Sequence, residues 1–303
     1  MSDTLLIIWG ITFGLINTCL LHLAKTMERH GIEIFSRKKS LKEKGKKPII
    51  YIIGLILNNI TFLWQILGLM YSSAAVFSSV FGIGLIITML YSYFILEENI
   101  KTPELIGAIL IIIGTTMVGF YYIGQDQAPI EKFNQQNLFL LLIIVFILFG
   151  ALIAFSWKTG IGVAIIFGIV AGCFGGMDNV FKRVGFAELG FFDAFLGVFR
   201  LDIFSIIFLL SFVVGFLAFM FTQIGFAKGA DASKLVPMYN SFYILMPIIF
   251  ELIIVVGTTI SFIQIIAIII IISGIFLMNI FKDPEKLKVG KLETDIKEDL
   301  KTV

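Results

Sequence analysis

The chain reads as two copies of one set of apolar segments laid end to end, and that duplication constrains its fold more than any single motif. An ungapped offset of 158 positions superposes Gly10 and Gly14 on Gly168 and Gly172, Lys25 on Arg183, Gln65 and Ile66 on Gln223 and Ile224, and Ala74 on Ala232. The same offset lays 49–71 over 207–229, 73–96 over 231–254 and 104–123 over 262–281. Each run is roughly 20 residues, the length at which an α-helix crosses a hydrocarbon layer about 30 Å thick. Hydrophobic residues make up 58% of the 303, and the mean hydropathy is +1.01, which leaves little chain for a soluble domain.

Nine spans are expected, near 4–24, 49–71, 73–96, 104–123, 137–156, 161–182, 204–228, 231–256 and 260–281. The first lacks a basic leader and a small-residue cleavage pattern, so it is expected to stay as a helix. Segment 184–203 carries Glu188, Asp193, Arg200 and Asp202. Charges at mid-bilayer cost about 2.5–3.5 kcal/mol each on insertion scales, so an amphipathic or re-entrant piece is expected there. Positions 25–48 hold nine Lys and Arg, and the tail after 281 holds six Lys. Basic flanks stay cytoplasmic. Eight crossings between them put both on that side, with the N-terminus outside and the plasma membrane as the expected location.

The chain then divides into a first repeat (1–123), a linker with a connecting span (124–160), a second repeat (161–281) and a cytoplasmic tail (282–303). Five crossings precede the second repeat, and an odd number inverts it relative to the first. The fold class is an all-α polytopic membrane protein built as two inverted repeats. Such repeats are characteristic of secondary transporters, whose substrates bind between the halves near the bilayer midplane.

Three stretches resemble the drug/metabolite transporter (DMT) superfamily, which has an EamA-like fold, and within it the NIPA-like magnesium transporter family. The first runs from Gln65 to Tyr122, with an acidic helix end at Glu98 and Gly107 and Gly114 seven residues apart. The second, FTQIGFAKGADASKLVPMYNSFYILMPII at 221–249, includes Gln223, Ala230 and the run Val236-Pro237-Met238-Tyr239. The third is the glycine-rich helix around Gly168–Asn179. Two departures stand out: Ser79 occupies a place where such proteins often have a proline, and the loop GTTIS lacks a counterpart of Glu98. The resemblance implies carriage of Mg²⁺ or a related divalent cation by alternating access. Mg²⁺ would then be cargo, with no resident cofactor.

Candidate binding residues follow from polar groups within the spans. Pro237 and Pro247 each remove a backbone donor, so a kinked or unwound helix is expected there, matched in the first half by Gly82 and Gly84. Asn240, Pro247 and Glu251 share one face, and an ionisable residue within a span marks a functional site by default. Asp178 and Asn179 close a helix whose Gly168, Gly172 and Gly176 permit close approach by a neighbour. Asp178 has two readings, a structural pair with Lys182 or an outer carboxylate. Asn17, Asn58, Thr61, Gln65 and Gln223 are amides and a hydroxyl that need partners in hydrocarbon, supplied either by other helices or by a solute. The candidate substrate site is therefore Asn17, Asn58, Gln65, Asp178, Asn179, Gln223, Pro237, Asn240 and Glu251, with Asp178 and Glu251 as ligands to a transported ion. No P-loop, zinc motif or catalytic triad is present, and an enzyme is not expected. Expected partners are the solute or cation and the lipid bilayer, with no nucleic acid; a homodimer stays open. The competing readings are a carrier of a small organic metabolite and a non-transporting membrane adaptor.

Overall fold

In the computed structural model the described residues are 3–35, 45–122, 134–187, 193–194, 196–200, 202–254 and 259–280. Among them every regular element is a helix: α1 Asp3–Gly31, α2 Lys47–Tyr71, α3 Ala74–Ser79, α4 Phe81–Phe94, α5 Thr102–Tyr122, α6 Gln135–Thr159, α7 Val163–Ala187, α8 Ile203–Ala227, α9 Ala232–Ile254 and α10 Phe262–Ile280. Helices α3 and α4 form one span interrupted at Val80. Eight of the described spans are long and apolar enough to cross a membrane, and α10 is a shorter apolar ninth. The chain is an integral, multi-pass membrane protein.

The offset read from the sequence reappears in the helix boundaries. Moved by 158, α1, α2, α3–α4 and α5 fall on α7, α8, α9 and α10 with ends matching to about two residues. Packing repeats as well: α1 lies along α2 and α4, and α7 lies along α8 and α9. Helices α5 and α10 pair antiparallel, with Gly107 against Gly274 and Gly114 against Ala267. Side-chain contacts show the inversion. Glu28, near the end of α1, meets Asn58 in the first half of α2 and Gln223 near the end of α8. Asp178, late in α7, meets Gln65, late in α2. Helix α7 therefore ends where α1 begins, and the two run in opposite directions.

Local chemistry sets the ends of the elements. Ser73 accepts from the Val76 amide and starts α3. Asn134 caps α6, and its own N–H donates to Ile254 O at 2.7 Å, tying the connector to the end of α9. Gly160, with φ 68°, ends α6 in the left-handed region that glycine adopts without strain. Asp202 accepts from the Ser205 amide and caps α8, which accounts for one charge of the 184–203 segment. Helix α7 continues to Ala187 and a 3₁₀ turn covers Gly197–Arg200, while 188–192 lie outside the described residues. So do the basic stretch 36–44, the linker 123–133 and the tail 281–303.

Two expectations change. Helix α1 extends to Gly31 rather than ending near 24, so Lys25 and Arg29 belong to a helix and not to the basic loop. Helix α9 runs unbroken through Pro237 and Pro247, and the interruption falls instead in its proline-free repeat mate, at Val80. Close backing by α7 holds α9: a Cβ on Gly172 would lie 2.9 Å from Tyr239 Cα, and one on Gly176 would lie 2.9 Å from Pro247 Cδ. Helices approach this closely only where side chains are absent.

Candidate functional site

A cavity of about 540 Å³ lies between the repeats, bounded by α1, α2, α7, α8 and α9. Helix α1 supplies Asn17, Leu21 and Lys25, spaced by four and therefore on one stripe. Helix α2 faces it with Asn58, Thr61 and Gln65 on the face expected from the sequence. Helix α7 brings Gly175, Asp178 and Lys182, and α9 brings Tyr239 and Tyr243. The rest of the wall is largely aromatic, from Phe62, Phe212, Phe216 and Phe219.

Two polar clusters cross from one repeat to the other. In the first, Gln65 Nε2 donates to Asp178 Oδ2 at 2.7 Å and to Asn179 Oδ1 at 2.6 Å. Asp178 also pairs with Lys182. Asn179 in turn donates to Ser78 Oγ at 3.0 Å and accepts from Tyr243 OH at 2.9 Å. The second cluster centres on Glu28, which is fully buried. Asn58 Nδ2 donates to its Oε1 at 2.9 Å and Gln223 Nε2 to its Oε2 at 2.5 Å, while Tyr51 OH donates to Gln223 Oε1 at 3.1 Å. Gln65 and Gln223 are mates under the repeat offset, and each reaches a carboxylate on the opening helix of the other repeat. Asn58 and Gln65 are seven residues apart on α2, so the clusters stand about 10 Å apart along the helix axis.

Of the expected site residues, Asn17, Asn58, Gln65 and Asp178 line the cavity. Asn179 and Gln223 stand behind its wall, holding the lining residues through the bonds above. Pro237, Asn240 and Glu251 are not part of the lining. The Asn240 amide faces the His22 ring without reaching hydrogen-bond geometry, leaving His22 Nε2 and both Asn240 side-chain polar atoms unpartnered. Glu251 lies beside the Ala75 amide and the Arg183 guanidinium, at the start of α3. Asp178 and Glu251, the expected ion ligands, thus occupy separate environments. Among the described residues no three His, Cys, Asp or Glu converge on one point.

Sequence reasoning passed over Lys25, Glu28 and His22. Hydropathy alone puts Lys25 and Glu28 beyond the first span, because the apolar run stops at residue 24. The signal available was the spacing of Asn17, Leu21 and Lys25, which continues the helical face one turn beyond that run.

No curated protein and no solved structure matches the chain. Residues 4–120, from the start of α1 almost to the end of α5, match the model of the EamA-like transporter family.

Proposed function

We propose that the protein is a DMT-type secondary transporter that moves a small organic solute by alternating access through the cavity between its repeats. The carrying observation is the cavity itself: large, aromatic, edged by amides, and held by bonds that cross from each repeat to the other. Ligand sites of this kind are mostly apolar with a few placed polar groups. Cross-repeat bonds can exchange as the halves rock, which is what alternating access around a fixed site requires.

The resemblance to the NIPA-like family favours Mg²⁺ as cargo, and the cavity chemistry weighs against it. Magnesium is held through one or two carboxylates with much of its water retained. Here one carboxylate, Asp178, faces the cavity, and it already engages Lys182 and Gln65. Two ammonium groups, Lys25 and Lys182, line the same space and would repel a dication.

The test is flux into liposomes holding the pure protein, with a trapped Mg²⁺ dye in one set and labelled carboxylates, amino acids, amines and sugars in another. Uptake of an organic class, lost on Gln65→Ala, with no Mg²⁺ signal is the expected result. Mg²⁺ entry without organic flux would restore the cation reading. No flux of any kind from folded protein would favour the adaptor. Placement of the basic flanks on the cytoplasmic side of a plasma membrane remains part of this proposal.

A further inference from the structure

We infer that the transported solute is an organic anion and that Lys25 receives its negative group; this rests on the transport reading above. Lys25 is 2% exposed and lines the cavity. Its Nζ lies 3.4 Å from Thr222 Oγ1 and 3.7 Å from the centroid of the Tyr239 ring. An ammonium carries three donors, and one long bond plus a ring face leaves it poorly satisfied. Buried charges ordinarily have a counter-ion, because the cost of desolvation is otherwise uncompensated. Among the described residues no carboxylate oxygen falls within 4.0 Å of Lys25 Nζ. Glu28, one turn along, attracts Lys25 through space, but its two oxygens take their hydrogen bonds from Asn58 and Gln223. Lys182 differs, because Asp178 neutralises it at the opposite end of the cavity.

Of the charged groups on the lining, Lys182 is paired with Asp178, and Lys25 has no carboxylate in contact; Glu28, behind the wall, offsets its charge only from beyond 4.0 Å. A second observation is independent of charge. Asn17, two turns before Lys25 on the same stripe, is 2% exposed and its Oδ1 has no partner. The cavity thus offers an anion receptor and an amide acceptor along one wall, with phenylalanines elsewhere on the lining. A volume near 540 Å³ far exceeds an inorganic ion and suits a univalent anion with an apolar body. A cation is repelled by Lys25 on that wall. A neutral solute would leave the ammonium without an anionic group in contact.

The experiment compares three probes of one shape, benzoate, benzamide and benzylamine, by calorimetric titration and thermal shift of the purified protein. Benzoate is expected to bind at least tenfold more tightly than either of the others. Lys25→Met is expected to lose that preference, with benzoate weakened tenfold or more, and Lys25→Arg to retain part of it. Equal binding of the three probes, no benzoate binding, or benzoate binding unchanged in Lys25→Met would each overturn the inference. Displacement of benzoate by an equal concentration of chloride would overturn it too, assigning the site to inorganic anions. The wild-type comparison stands even if a variant fails to fold. Selective benzoate binding without flux of any organic solute would refute the transport reading alone. Organic flux with no preference for the anion would refute this inference alone.

Discussion

At the scale of single residues, the buried polar groups divide into those with partners and those without, and the two kinds predict opposite results. Asp178 and Lys182 are a buried ion pair, and removing one member leaves the other uncompensated at a cost of about 3–5 kcal/mol. Asp178→Asn is expected to lower the unfolding midpoint in detergent sharply, and Asp178→Asn with Lys182→Met to recover most of the loss. A double variant as unstable as the sum of its parts would mean the pair is not coupled. Asn240 is the reverse case, with both side-chain atoms buried and unpartnered. Leucine has nearly the same shape and no polar atom, so Asn240→Leu is expected to stabilise by about 1–3 kcal/mol. An unchanged or lower midpoint would show that the amide holds a partner. From the sequence, amides within spans were recognisable as atoms needing partners. Which partner each one took was not, because Gln65 and Asp178 are 113 residues apart and meet only once the repeats pack.

At the scale of elements, the repeats exchange carboxylates at the start of their third spans. Glu98, just beyond α4, accepts from the Ala232 and Ser233 amides at 2.8 Å each and so caps α9. Glu251, in the last turn of α9, lies beside the Ala75 amide at the start of α3. The missing acid of the loop GTTIS is thus supplied from within the helix before it. Capping groups and the helix dipole together contribute about 1–2 kcal/mol. Glu98→Ala is expected to lower stability by that amount, whereas Asn99→Ala, at an exposed neighbouring position, should leave the midpoint unchanged; equal effects would show that Glu98 acts only as a surface charge. Span positions were legible from hydropathy because a repeat offset fixes them twice. Helix ends were less so: α1 outruns its apolar stretch by about two turns because its last residues are buried by α2 and α8, a tertiary effect that local hydropathy does not register. The break at Val80 carries no proline to announce it, and the prolines of α9 sit in a helix that α7 supports.

At the scale of the whole molecule, the inverted halves turn two local clusters into a pair of opposed closures. Gln65 ties α2 to α7 at one end of the cavity, and Gln223 ties α8 to α1 at the other. The two bonds are equivalent under the repeat, so an exchange of roles between halves would open one as the other holds. Loosening each bond should then bias access toward a different face of the membrane. Thr61 lines the cavity between the clusters and can report on this as Thr61→Cys, with Cys19 and Cys173 replaced by serine to silence the native thiols. A membrane-impermeant thiol reagent is applied to either face of oriented vesicles. Gln65→Ala is expected to raise labelling severalfold from the face nearer Asp178, and Gln223→Ala from the face nearer Glu28. Labelling that rises from the same face in both variants would show that the clusters brace the bundle without gating it. The alternating-access reading would then need its closures elsewhere, for instance behind the lining, where Phe81 stacks on Tyr243 at 4.2 Å. Opposite shifts would instead tie the duplication seen first in the sequence to the motion that moves solute.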